Sequence, residues 1–398
     1  MANKRKSDEE EQLNQEVKRV KKQRIFNINS HPKRKIAIQF FYLGWEHDGL
    51  VQQTNTDNTV EQHLMTALLK TRLISDWNTC EYSRCGRTDK GVSAFRQTAA
   101  FIVRSCCKNA DNAFWDDSVD DETKKNYPEN NEEMNYLKML NSVLPTTIRI
   151  FSWAPVPRKF SARFDCNGRI YKYALPKADL NVERMRDAAS RLIGEHNFSN
   201  FCQIDMNEKR LEQSYTRKIY KVEIEEISRD SNRPEFDMLE VTVTGSGFLW
   251  HMIRYIVSVL HEIGRGNEEP ELVTQMLDLN MFPSRPQYYM ASNTPLCLFD
   301  NKYDNCDIQW NTDETQLNIA IIAVQKQWAA FQARSRMMEN MLGELTSMHP
   351  NLETTKGLHE FIQDRPISSN YAKFVDRPRC ATLQAKRERL AEMKKATN

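Results

Sequence analysis

Residues 84–96 read RCGRTDKGVSAFR, and no other stretch of the chain is as informative. Gly86 and Gly91 let the backbone turn sharply or approach a ligand closely. Arg87 and Lys90 suit phosphate or a polyanion. Asp89 lies between these two cations, which favours its charged form and lowers its pKa. The run therefore reads as a loop that holds one ionised carboxylate for chemistry on an anionic polymer.

Composition narrows the context. The chain has 398 residues, 40% of them apolar, enough for a sizeable core and for two to three domains at roughly 150 residues each. Lysine plus arginine number 56 against 54 acids, a net charge of +2. A nucleic-acid partner must then be held by local basic clusters. Candidates are Lys33-Arg34-Lys35, Arg158-Lys159 and Arg217-Lys218. The nine cysteines show no C-x-x-C pair and no zinc spacing, and Cys106-Cys107 are adjacent, a poor disulfide geometry. Reduced thiols in an intracellular compartment are expected. No apolar run reaches the ~18 residues of a membrane span, and no metal or cofactor is expected.

Along the chain, residues 1–30 form a charged tail with basic blocks at Lys4-Arg5-Lys6 and Lys18 to Arg24, spaced like a bipartite nuclear import signal. Ile36 to Tyr42 is a strand, and Thr59 caps a helix with Gln62 at the capping-box position. The opening loop leads into a strand at Thr98 to Val103. Residues 108–133 carry nine acids and three lysines and read as an exposed insertion that repels a polyanion. Arg169 to Leu175 alternates as a strand, as do Tyr220 to Ile224 and Leu239 to Val243, which are expected to be neighbours. Phe248 to Ile263 has helical spacing and ends at Gly264. From Leu317 to Leu345 apolar residues recur at 3-4 spacing, interrupted only at Ser335, as in a coiled-coil seam or a helix packed on its own domain.

Several blocks together resemble one family. GRTDKGVSA at 86–94 is similar to the signature of the TruA family of tRNA pseudouridine synthases. In the same order follow Phe160-Ser161-Ala162-Arg163 with Arg169-Ile170-Tyr171-Lys172-Tyr173, then Gly247-Phe248-Leu249-Trp250-His251-Met252-Ile253-Arg254, then Thr294-Pro295-Leu296-Cys297-Leu298. The resemblance spans about residues 35–304. It is nearest to the eukaryotic branch that modifies tRNA positions 38/39, on Arg84-Cys85, Phe95 and the run from Tyr288 to Asp300.

The resemblance implies an α+β pseudouridine synthase fold: two antiparallel-sheet halves with flanking helices and a central RNA-binding cleft. The expected organisation is a tail at 1–30, a first half at 31–175 carrying Asp89 and the 108–133 insertion, a second half at 176–304, and a helical extension at 305–398. The implied reaction is isomerisation of uridine to pseudouridine in tRNA, with the target base extruded first. Asp89 is the implied catalytic residue, as nucleophile or as base. Arg87 fills the space that the base leaves, and Tyr171 stacks on the uracil. Arg254 pairs with Asp89, and Leu296 packs at the site. Expected partners are tRNA, no membrane, and either a homodimer or a monomer, in nucleus and cytoplasm. The alternatives are a related synthase for other tRNA or small nuclear RNA uridines, and a non-catalytic RNA-binding protein on the same scaffold.

Overall fold

Ile36, Ile38, Phe40 and Tyr42 share one face of the first strand and are buried together in a large core, while Ala37 faces a second, smaller cluster on the other side. This period-two segregation sets the strand's register in the sheet. The computed structural model describes residues 26–227, 234–349, 355–368 and 370–397. The basic blocks at Lys4 to Lys6 and Lys18 to Arg24 lie outside the described residues.

In chain order come β1 (Lys33–Tyr42), α1 (Val60–Lys70), β2 (Ser83–Arg84), β3 (Ser93–Arg104), α2 (Asp121–Asn126), α3 (Tyr136–Asn141), β4 (Ile148–Pro155) and β5 (Gly168–Pro176). They are followed by α4 (Val182–Ser190), β6 (Gly194–Asn197), α5 (Glu208–Glu212), β7 (Thr216–Ile227), β8 (Met238–Gly245), α6 (Met252–Gly264), α7 (Glu271–Leu277) and β9 (Leu296–Lys302). The C-terminal helices are α8 (Glu314–Met348), α9 (Lys356–Gln363) and α10 (Leu383–Thr397). No helix among the described residues is long and apolar enough to cross a membrane.

The strands form one nine-stranded sheet in the order β4-β1-β3-β9-β5-β8-β7-β6, with β2 on β3. The two antiparallel halves are therefore fused edge to edge. The joint is a parallel pairing of β3 with β9, Ser93 opposite Cys297 and Ala94 opposite Leu298. β2 pairs antiparallel with β3 further along, at Ala99 and Ala100. The loop between β2 and β3 thus lies at the junction of the halves. β5, placed by sequence at the end of the first half, belongs to the second by pairing, because it lies between β8 and β9.

Every residue of α6 from Met252 to Gly264 is buried, and its polar members are satisfied inside the fold: Arg254 donates to Ala291 O, Ser258 donates to Arg254 O, and His261 is hydrogen-bonded to His359. The helix starts four residues later than the spacing suggests. His251, its N-cap, has φ 63° and ψ 8°, in the left-handed region, so Phe248 to His251 cannot continue the helix backwards. The C-terminal segment anchors on α6: His359 of α9 is hydrogen-bonded to His261 at 2.9 Å and to Asp179 at 2.6 Å.

The 108–133 insertion is folded onto the start of β1. Lys33 pairs with Asp116 at 2.5 Å, and Arg34 pairs with Glu133 at 3.1 Å with both side chains nearly buried. Lys35 is buried and pairs with Glu81 at 3.3 Å. The Lys33-Arg34-Lys35 cluster is consequently neutralised and is not a phosphate site, contrary to the sequence reading. Two of the three cations are met by carboxylates of the insertion and the third by Glu81, just before β2.

Gly44 shows how closely β1 and the opening loop meet: a Cβ there would lie 1.9 Å from the Val92 carbonyl oxygen. Gly44→Ala should destabilise the protein by about 1–3 kcal/mol, the usual cost of overpacking. Urea unfolding of the variant checks this, and an unchanged midpoint would contradict the contact.

Candidate active site

The loop from Cys85 to Val92 is held at most of its residues. Cys85 N–H donates to Thr98 O at 2.8 Å, and Gln97 Nε2 donates to Gly86 O at 3.0 Å. The Thr88 hydroxyl is 2.6 Å from the buried Tyr42 hydroxyl, and Leu50 N–H donates to Thr88 O at 3.2 Å. Asn293 donates to Lys90 O at 2.7 Å. Gly91 has φ +80°, and a Cβ there would meet Asn293 at 2.6 Å, so glycine is needed on both counts. Arg169 of β5 is the main cross-tie between the halves. Its guanidinium donates to Ser246 O at 2.9 Å, to Cys85 O at 3.0 Å and to Arg163 O at 3.1 Å.

Asp89 projects from this fixed loop with its side chain 36% exposed, partly shielded yet reachable. Trp250 Nε1 donates to Oδ1 at 3.1 Å, and His251 Nε2 lies 3.3 Å from Oδ2. Burial by itself would raise the Asp89 carboxyl. The contact from His251, the Trp250 indole and the nearby Arg254 guanidinium outweigh it and hold the group below the usual carboxylate value. The ionised form thus persists as pH falls through the ordinary carboxylate range. The flanking cations, invoked from sequence, are not its direct partners: Lys90 pairs with Asp48 at 2.8 Å.

Arg254 is buried on α6, near enough to Asp89 to act on it through its field. Its Nε donates to Ala291 O at 2.6 Å. The direct ion pair with Asp89 read from sequence is therefore replaced by a buried cation anchored on a carbonyl, and the short partners of Asp89 are the two residues before α6. Both lay inside the GFLWHMIR block, but a helix beginning at Phe248 would have spread their side chains around its circumference. The left-handed turn at His251 is what turns both toward Asp89.

Tyr171 is buried on β5, with Phe248 edge-on at a 5.1 Å centroid distance. Burial first, then the Asp89 charge among others, pushes its hydroxyl well above the ordinary value, against an opposing pull from Arg169, so it is a neutral phenol. In the β5–β9 register Leu298 lies opposite Tyr171, and Leu296 lies opposite Tyr173. Leu298 also reaches the opening loop, 3.9 Å from where a Gly86 Cβ would be. Both leucines are buried. Arg87 is exposed. Burial of its guanidinium, then Arg84 and Arg163 and, more weakly, Arg210, lower its pKa, with Glu61 opposing. Arg163 is exposed beside Phe164, which is 81% exposed. This arginine group is a cationic rim that sequence reading did not assemble, because its members come from separate segments.

Among the described residues, one grouping has metal-ligand proximity: Cys106, Cys107 and Glu133. The Glu133 carboxylate already accepts from Ser105 at 2.6 Å, from Cys106 N–H at 3.0 Å and from Arg34 at 3.1 Å. It is a structural hub in the insertion.

Comparison with known proteins adds to this geometry. Residues 188–304 match the family model described as tRNA pseudouridine synthase. A probable tRNA pseudouridine synthase of Caenorhabditis elegans, tag-124, is 60% identical over 377 residues, 94% of either chain. The tRNA pseudouridine(38/39) synthase of Bos taurus is 33% identical across 94% of this chain and 85% of its own length. That of Homo sapiens is 34% identical across 92% and 78%. The chain belongs to the tRNA pseudouridine synthase family.

Arg169→Met should free three carbonyls at the junction and cost on the order of 3 kcal/mol. Thermal and urea unfolding check it, and a stability change near zero would remove Arg169 as the tie between the halves.

Proposed function

We propose that Asp89 is the group with which this chain isomerises uridine to pseudouridine in tRNA, at positions 38/39 of the anticodon arm. The observation that carries this is one ionised, reachable carboxylate seated at the joint of two sheet halves, with a ring nitrogen within 3.3 Å of each of its oxygens and a buried arginine nearby.

A uracil stacked in the RNA cannot reach Asp89, so it is extruded first. Arg87, exposed at the rim, takes the space left in the stack. Tyr171 and the leucines of β9 give the uracil an apolar floor. The carboxylate acts at the ribose, as the lone-pair donor to the anomeric carbon or as the acceptor of a ribose proton, and either role requires the ionised form. The C1′–N1 bond breaks, the uracil turns within the site, and C1′–C5 forms. The hydrogen lost from C5 is matched by one gained at N1, so the reaction is balanced with no change of oxidation state. Phosphates are met by Arg87 and Arg163 at the rim and by Lys159 and Lys218, which are exposed. Such contacts position an RNA without reading its bases, as suits recognition of tRNA by shape.

Single-nucleotide mapping on tRNA tests this. Wild type should create pseudouridine at 38/39, while Asp89→Ala should create none and keep its tRNA affinity. Product from Asp89→Ala at the wild-type rate would sink the catalytic assignment. Product at other uridines would change the target, and binding without product would favour an RNA-binding protein.

We further propose that the chain works as a homodimer joined through α8. Leu317, Ile321, Val324, Trp328, Phe331, Met338, Leu342 and Leu345 keep heptad spacing, and each is at least 40% exposed. Only Gln316 and Ala320 of this helix are buried among the described residues. An apolar seam of that length, poor in cations, fits a second copy better than a polyanion. Light scattering should give a dimer mass for wild type and a monomer mass for Ile321→Glu. Ile321 is exposed, so the variant should keep its fold. A monomeric wild type would refute the dimer.

A further inference from the structure

His251 concentrates two local costs in one residue. Its backbone is left-handed, with φ 63° and ψ 8°, a conformation that strains a side-chain-bearing residue. Its Nδ1 is buried and has no hydrogen-bond partner among the described residues. Glycine or asparagine would occupy the same backbone more cheaply. What histidine adds is a second nitrogen, Nε2, lying 3.3 Å from Asp89 Oδ2.

We infer that His251 is a positioning residue for Asp89, acting with Trp250 as a clamp that gives each carboxylate oxygen one N–H donor and so fixes the plane and direction of the carboxylate. This inference rests on the reading of Asp89 as the catalytic group. The clamp is built from consecutive residues. Their side chains can point the same way only because the backbone reverses hand between Trp250 and α6. The two rings lie 4.4 Å apart at 34°, so each limits the rotation of the other. On the Trp250 ring rests the Arg210 guanidinium, 3.9 Å from the ring centroid. The Nδ1 environment also selects the tautomer. A proton on Nδ1 would be a buried donor without an acceptor, so in the neutral imidazole the proton sits on Nε2 and points at Asp89. The imidazole then donates a hydrogen bond and leaves the carboxylate its charge. With both oxygens tied, the carboxylate cannot swing when the ribose arrives, and that restriction is worth rate rather than affinity.

The experiment uses the full-length protein with unmodified tRNA. It reads single-turnover pseudouridine formation and tRNA affinity separately for Asp89→Ala, His251→Asn and His251→Gln, with thermal unfolding of each. Asparagine tolerates the left-handed backbone but its amide ends short of Asp89. Glutamine carries an amide nitrogen at about the reach of Nε2. His251→Asn should fold at least as stably as wild type, keep its tRNA affinity, and lose rate on the order of 10- to 100-fold, as expected for a misplaced reacting group. His251→Gln should recover much of that rate. The inference is overturned if His251→Asn reacts at the wild-type rate. It is also overturned if its rate and affinity fall together, which would make His251 an RNA contact, or if a folded His251→Gln is no faster than His251→Asn. Asp89→Ala separates the two claims: product from that variant removes the catalytic reading itself, whereas an inert Asp89→Ala beside a fully active His251→Asn removes only the clamp.

Discussion

Two parallel residue pairs, Ser93 with Cys297 and Ala94 with Leu298, make one sheet out of two halves. Everything around Asp89 depends on this short joint. β3 gives its first residues to β9 and later ones to β2 on the same edge, so the loop between β2 and β3 has to turn where its neighbours part. A loop in such a gap would normally be free to move. Here it is tied from the first half by Tyr42, Leu50 and Gln97, and from the second by Arg169 and Asn293. The joint is too short to be strong by its own hydrogen bonds. Side chains that cross it supply the rest, and the same side chains immobilise the loop.

A carboxylate in such a place is costly to keep charged, since burial opposes ionisation. The structure offsets that cost with two ring nitrogens, at 3.1 and 3.3 Å from the two carboxylate oxygens, and a more distant cation. The division of labour is informative. Trp250 and His251 are directional and set geometry. Arg254, anchored on the Ala291 carbonyl, is a field source whose charge acts without contact. Separating direction from charge leaves a face of the carboxylate open, as a side chain 36% exposed requires. A guanidinium gripping both oxygens in a fork would have stabilised the charge and blocked the approach.

The sequence was a good guide wherever one local rule was enough. The strand-like run of β1, the alternation of β5, β7 and β8, the Thr59 cap of α1 and the glycine at 91 each follow from a local pattern or a backbone angle, and the structure has them at the expected places. The loop carrying Asp89, Tyr171 on its strand and Arg254 on its helix were all visible as motifs, and the fold gathers them. What could not be read is what depends on three-dimensional pairing. Lys33, Arg34 and Lys35 look available in a one-dimensional charge count, but acids about 50 to 100 positions away cancel them. The helical period of α6 runs on through Phe248 to His251 because periodicity senses side-chain spacing and is blind to the sign of φ. The Arg87, Arg163 and Arg210 grouping exists only after three segments meet.

The folded acidic insertion has an effect beyond its own contacts. By laying carboxylates on the basic start of β1, it silences one stretch of positive surface in a chain whose total charge is only +2. The exposed Arg87 and Arg163 at the rim are left as a local source above a nearly neutral background. A polyanion diffusing nearby then feels a gradient rather than a halo, and that gradient leads to the rim beside Asp89. Through its ion pairs at the start of β1, the insertion thus helps set where on the surface positive charge is left exposed.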